Sequence, residues 1–142
     1  AAGGLRRAVD RRLVHQPAAG RRDPYFAEIA DLKVSAHALI RRDGEVVQYV
    51  PFHLRAWHAG TSCWEGREAC NDYSIGIELE GTDDGGYRRI QYARLAALIA
   101  SLCAAYRGLS PGRIAGHSDI APGRKTDPGA GFRWDELRAR LV

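Results

Sequence analysis

Two apolar runs on either side of Asp43-Gly44 constrain this chain more than anything else in it. VSAHALIRR (34–42) and EVVQYVP (45–51) both have strand composition, and Asp-Gly between two such runs is a hairpin signal. Strand periodicity puts Ala36, Ala38 and Ile40 on one face of the first run and His37 and Leu39 on the other. YSIGIELEG (73–81) is a further strand, with Ile75, Ile77 and Leu79 facing one way and Glu78 and Glu80 the other. Between about Arg89 and Tyr106, the set Leu95, Leu98, Ile99, Leu102, Cys103 and Tyr106 recurs at helical spacing. FRWDELRARLV closes the chain as a helix with Trp134, Leu137 and Leu141 on one face. Asp23 and Pro24 suit the cap and first turn of a short helix, PYFAEIADL. RIAGH reads as a short strand ending at His117, and TDDGGY as a turn. Strand and helix do not alternate cleanly, so the expected class is α/β: a mixed central β-sheet flanked by helices, not a doubly wound one.

Length and composition set the remaining bounds. The chain of 142 residues fits one domain with a real core. Residues 1–22 are rich in Arg, Ala and Gly and read as a variable basic segment, loop or poorly anchored helix, ahead of a single domain at 23–142. The net charge of +4 is carried almost wholly by arginine, with Lys33 and Lys125 the only lysines. Arg6, Arg7, Arg11, Arg12, Arg21 and Arg22 form either a solvated segment or an attraction for an anionic partner. No RNP-type aromatic motif or C2H2 spacing accompanies them, so nucleic acid is not the expected partner. No apolar run approaches the roughly 20 residues of a membrane helix, and no secretory signal is legible. The three cysteines, Cys63, Cys70 and Cys103, suggest free thiols in a reducing compartment, and none lies in a C-x-x-C pair.

The chemistry concentrates in GHSDIAPGRKTDPG (116–129). His117 and Asp127 are candidate metal ligands if the Gly- and Pro-rich loop folds back, and imidazole nitrogen with carboxylate oxygen suits zinc. The plainer reading is a hydrogen-bonded histidine and a turn-capping aspartate. Glu78 is a candidate general base, with Glu80 two residues on as its alternative; otherwise both are solvated carboxylates. Lys125 is either a surface charge or a cation for a developing oxyanion. The long irregular stretch 51–72 carries Trp57, His58 and Trp64, and a loop of that length is usually functional.

Three ordered blocks carry a resemblance: AEIADLKVSAHALIRRDGEVVQYVPFHLRAWHAG, CNDYSIGIELEGTD and AGHSDIAPGRKTDPG. From about Pro24 onward the chain resembles the AmpD type of N-acetylmuramoyl-L-alanine amidase, in the amidase-2 and peptidoglycan-recognition superfamily. The resemblance implies a cytoplasmic, monomeric zinc hydrolase of peptidoglycan recycling. Such an enzyme cuts the amide between the lactyl group of (anhydro)muramic acid and L-alanine. It implies His117 and Asp127 as zinc ligands, Glu78 as the catalytic glutamate and Lys125 as the transition-state lysine. Trp57, His58 and Asn71 match positions at the groove that binds the muropeptide substrate. His37 and His53 match no zinc ligand and read as structural or groove-wall residues.

The chain departs from that family in two places. Family members open with a strand ending in a histidine, the third zinc ligand, and no such strand is read in 1–22. Either the chain starts just after that ligand, or LVHQPAAG is a shortened strand with His15 as the ligand. In the first case a sheet edge is left unpaired, zinc is held weakly, and a non-catalytic binding module for peptidoglycan fragments becomes the alternative function. The second departure is Ala69, where relatives often carry arginine.

Overall fold

The computed structural model describes the backbone of Leu5 and Arg6 and residues 36–142. The strands are β1 (Leu5–Arg6), β2 (Ala38–Ile40), β3 (Val46–Gln48), β4 (Cys63–Trp64), β5 (Arg67–Glu68) and β6 (Ile77–Leu79). A 3-10 turn at Cys70–Asp72 lies between β5 and β6, and the helices are α1 (Arg89–Ala105), α2 (His117–Ile120) and α3 (Trp134–Arg140). The main sheet has the order β1-β3-β2-β6, and β4 and β5 form a separate antiparallel pair. β1 runs parallel to β3, pairing Leu5 with Val46 and Arg6 with Val47. The expected α/β class with a mixed sheet is therefore present. Leu5 and Arg6, expected in loop or poorly anchored helix, instead form β1 along β3. The proposed helix at PYFAEIADL, the boundary at residue 23 and His15 lie outside the described residues.

The described residues divide into two units: 5–6, 36–39 and 45–78 in the first, and 40–44 with 79–142 in the second. In the first unit Val47, Tyr49, Val50 and Ala56 form a buried cluster against which Leu39 packs. His37, expected on the face opposite Ala36 and Ala38, is as buried as they are. Its ring nitrogens explain how a polar side chain is tolerated there. Nδ1 accepts the Gly76 N–H at 3.1 Å, so the proton sits on Nε2, which donates to the Leu54 carbonyl at 2.7 Å. Burial lowers the His37 pKa below the ordinary 6.5, an effect partly opposed by the Leu54 bond.

Residues 51–72 are not uniformly irregular. β4 and β5 make a two-residue hairpin in which Glu65 (φ 50°) and Gly66 (φ 82°) both take left-handed backbone conformations. Left-handed conformations at both central residues are what a tight hairpin of this length requires.

In the second unit α1 buries Tyr92, Leu95, Ala96, Ile99 and Leu102 and packs against α3, whose Leu137 is fully enclosed. Each of the leucine and isoleucine side chains contributes about 1.5–3 kcal/mol by leaving water. Gln91, also fully buried, places its carboxamide at the strand ends: Nε2 donates to the carbonyls of Ile40 (3.2 Å) and Glu80 (2.9 Å), while Oε1 accepts Arg88 N–H. The 41–44 turn closes through Gly44 N–H to Arg41 O, and a Cβ at Gly44 would collide with Ile90 of α1. No helix among the described residues is long and apolar enough to cross a membrane.

The strand expected at RIAGH does not form. Gly116 is extended, but it serves as the N-cap of α2 rather than as the end of a strand, and its N–H donates to Asp119 Oδ2 at 2.7 Å.

Candidate functional site

The loop after α2 does fold back. Ala121 O accepts the N–H groups of Arg124 (3.1 Å) and Lys125 (3.0 Å), reversing the chain. Asp127 O then accepts Ser118 N–H at 2.9 Å, which sets residue 127 beside the start of α2. The result is that His117 Nδ1 and Asp127 Oδ2 lie 3.2 Å apart. The imidazole is mostly covered, at 18% exposure, and the carboxylate is 54% exposed.

That contact is a hydrogen bond, a little shorter than the spacing of two ligand atoms on one metal. Zinc–nitrogen and zinc–oxygen bonds of about 2.0–2.2 Å at tetrahedral angles place two ligand atoms roughly 3.3–3.5 Å apart. The donor types, a neutral imidazole and a carboxylate, are those zinc takes. Among the described residues no group of three or more His, Cys, Asp or Glu side chains converges, and His15 lies outside them. Lys125 is exposed on the same loop.

Residues the sequence did not single out hold this loop. Thr126 Oγ1 donates to the Asp83 carboxylate, and Tyr87 hydroxyl donates to Pro128 O at 2.9 Å. Burial, more than the neighbouring Asp83, Tyr92 and Asp127, raises the Tyr87 pKa and keeps its phenol a proton donor. Behind the loop, Phe132 lies against the rings of Tyr87, Tyr92 and Trp134, at centroid distances of 5.6, 5.2 and 4.8 Å. TDDGGY was legible as a turn, but its contacts reach more than forty residues along the chain, and no local signal carries them.

The first unit holds the expected substrate-binding residues. Asn71 is buried, and its Oδ1 accepts two backbone donors, the N–H of His58 at 3.0 Å and of Ala59 at 2.8 Å. Asn71 therefore shapes the RAWHAG segment. Ser74 Oγ donates to Cys70 O at 2.5 Å, which leaves it an acceptor toward His58 Nε2 at 3.3 Å. That bond places a proton on Nε2 of His58. The His58 ring rests on Gly76, where a Cβ would run into it. Trp57 is 48% exposed, with the Arg55 guanidinium 4.2 Å from its ring centroid, and Arg55 is paired in turn with Asp72. Glu78 is exposed on β6 between the half-buried Ile77 and Leu79, as the alternation predicts. Glu80, the alternative base, is also exposed, and one of its carboxylate oxygens accepts the Arg42 N–H at 2.9 Å.

Comparison with known proteins decides the lineage. The family model described as N-acetylmuramoyl-L-alanine amidase (Amidase_2) matches residues 6–130. The chain belongs to the N-acetylmuramoyl-L-alanine amidase family. The match begins well before Pro24, so the likeness to this amidase family takes in most of the basic segment. The chain is 61% identical over 119 residues to the 1,6-anhydro-N-acetylmuramyl-L-alanine amidase AmpD of Salmonella typhimurium (strain SL1344), covering 84% of this chain and 63% of that amidase. It therefore spans a little under two thirds of the length of this relative. A crystal structure of a Se-Met AmpD derivative superposes with a TM-score of 0.77 at 51% identity, covering 99% of this chain and 78% of the other. The amidase AmiD from E. coli, in complex with the substrate anhydro-N-acetylmuramic acid-L-Ala-D-gamma-Glu-L-Lys, gives 0.71 at 36% identity, covering 85% and 53%.

Proposed function

We propose that this chain is a zinc-dependent amidase that hydrolyses the bond between 1,6-anhydro-N-acetylmuramic acid and L-alanine in muropeptides. The observation that carries the reading is the His117–Asp127 pair, two zinc-type donors brought into contact in a member of an amidase family. The names of its relatives supply the substrate class.

His117 and Asp127 would hold the metal, with His15 as the candidate third donor. When bound, zinc supplies Lewis acidity at the scissile amide and lowers the pKa of a coordinated water toward about 7. Glu78 takes a proton from the attacking water and returns it to the departing L-alanine nitrogen. The Lys125 ammonium stabilises the negative charge that develops on the amide oxygen. Trp57 offers an apolar face to the substrate, and Asn71 fixes the backbone that carries Trp57 and His58. Arginine-rich surface favours the approach of a substrate bearing carboxylates. We assign the activity to the cytoplasm and to a monomer, in keeping with three free thiols, one of them exposed. Nothing in the described residues favours the non-catalytic binding module over the enzyme.

The test is release of the L-alanyl peptide from anhydromuropeptide by the purified chain. Chelator should abolish release and added zinc should restore it. Release that survives exhaustive chelation, or no release from zinc-loaded protein, would reject the reading. Replacing His15 with alanine settles the third donor, since unchanged zinc affinity removes His15 from the site.

A further inference from the structure

Asp127 sits in an exposed loop, and its carboxylate is half open to solvent. Backbone bonds within the loop, chiefly Ser118 N–H to Asp127 O, fix the residue from one side. The other side is fixed by a separate piece of chain, the turn at 82–87. Both neighbours of Asp127 bond to it: Thr126 Oγ1 donates to the Asp83 carboxylate, and Pro128 O accepts the Tyr87 hydroxyl at 2.9 Å. A third bond runs from Gly131 N–H to Asp83 O at 2.9 Å. The turn is itself closed by reciprocal backbone bonds between Thr82 and Gly85, at 3.3 and 3.0 Å. Packing is as close as the bonding. A Cβ at Gly129 (φ 82°) would enter the backbone of Asp83, and one at Gly131 would enter that of Asp84 and Gly85.

We infer that the 82–87 turn is a clamp for the metal-ligand loop, with Asp83 and Tyr87 as positioning residues that aim the Asp127 carboxylate. The inference rests on reading Asp127 as a zinc ligand. It goes further in assigning part of the chain's zinc affinity to side chains that touch neither metal nor substrate. Groups that orient a metal ligand typically govern affinity by about 10- to 100-fold.

The experiment measures zinc affinity by competition with a chromogenic chelator, for the wild-type chain and for Asp83→Ala, Asp83→Asn and Thr126→Val. Asp83→Ala and Thr126→Val should each weaken zinc binding by about 10- to 100-fold. Asp83→Asn, whose carboxamide oxygen still accepts the threonine hydroxyl, should recover most of the loss. A brace that served stability alone would lower the unfolding midpoint without this pattern. Zinc affinities equal to wild type in Asp83→Ala and Thr126→Val overturn the clamp. A metal-free measurement separates this inference from the zinc reading: amide exchange of Ser118, whose N–H is bonded to Asp127 O, should quicken in Thr126→Val. If the wild-type chain takes up no zinc, the zinc reading falls. The clamp then stands on faster Ser118 exchange and is overturned by unchanged exchange.

Discussion

The loop at 116–129 and the segment at 51–76 both present polar side chains, but they are built in opposite ways. The first is exposed, and its shape comes from backbone bonds, close glycine packing and side-chain bonds with the 82–87 turn. The second is organised by covered polar side chains: the buried His37 and Asn71 and the half-buried Ser74 satisfy backbone groups and set the ring of His58. The difference matters because a buried polar group stabilises only while its partners are in place, whereas an exposed one can turn to water. Substitutions in the first region should therefore cost chemistry, and substitutions in the second should cost fold.

The sharpest way to break this contrast is at the ligand pair. His117→Ala and Asp127→Ala should each remove zinc and lower turnover by about a thousandfold, given that the metal supplies several kcal/mol and each 1.36 kcal/mol is tenfold. Their urea midpoints without metal should stay near wild type. Glu78→Ala should keep zinc while losing about 10²- to 10⁴-fold in rate, so zinc content and turnover measured together separate ligand from base.

Next in size is Asn71→Ala. It strands the N–H groups of His58 and Ala59, and each unsatisfied buried donor costs about 1–3 kcal/mol, readable as a lowered urea midpoint.

A smaller effect follows from His37. The folded protein binds its proton less readily than the unfolded chain, so the unfolded state holds more protons once pH falls below the ordinary 6.5. Its contribution is complete above that pH and is lost as pH falls toward the depressed folded value. Urea midpoints measured down a pH series should decline below about pH 6.5, and His37→Leu should flatten that part of the curve while lowering it throughout.

The smallest stability effect belongs to Trp57→Ala, within about 0.5 kcal/mol for so exposed a residue, while KM for the muropeptide rises. A large loss of stability there would mean that Trp57 is part of the framework of that segment rather than a side chain presented from it.

What could be read from the sequence follows the range of the interactions. The hairpin around Gly44, helix α1, helix α3 and the alternation across Glu78 depend on local periodicity and turn chemistry, and all are present. The hairpin at Glu65-Gly66 was missed because it puts a glutamate where Asn or Asp is the usual signal for a left-handed residue. RIAGH was misread because extended backbone at Gly116 looks the same before a helix as at the end of a strand. His117 and Asp127 were legible as donors, but their meeting depends on Ala121 O and Ser118 N–H reversing the loop. Asp83 and Tyr87 were not legible at all. An aspartate and a tyrosine at the two ends of an Asp-Gly-Gly turn say nothing about a partner forty residues away.

The backbone-to-backbone approach of Gly129 and Gly131 to the 82–87 turn has a consequence for how this lineage can change. Surface turns ordinarily absorb insertions and deletions cheaply, and drift in length is common there. Here an added residue in TDDGGY would push main chain into main chain where Gly129 meets Asp83 and Gly131 meets Gly85. The two stretches are therefore tied in length, and an insertion in one is tolerable only with a matching change in the other. A turn open to solvent is thus closed to the commonest kind of evolutionary edit.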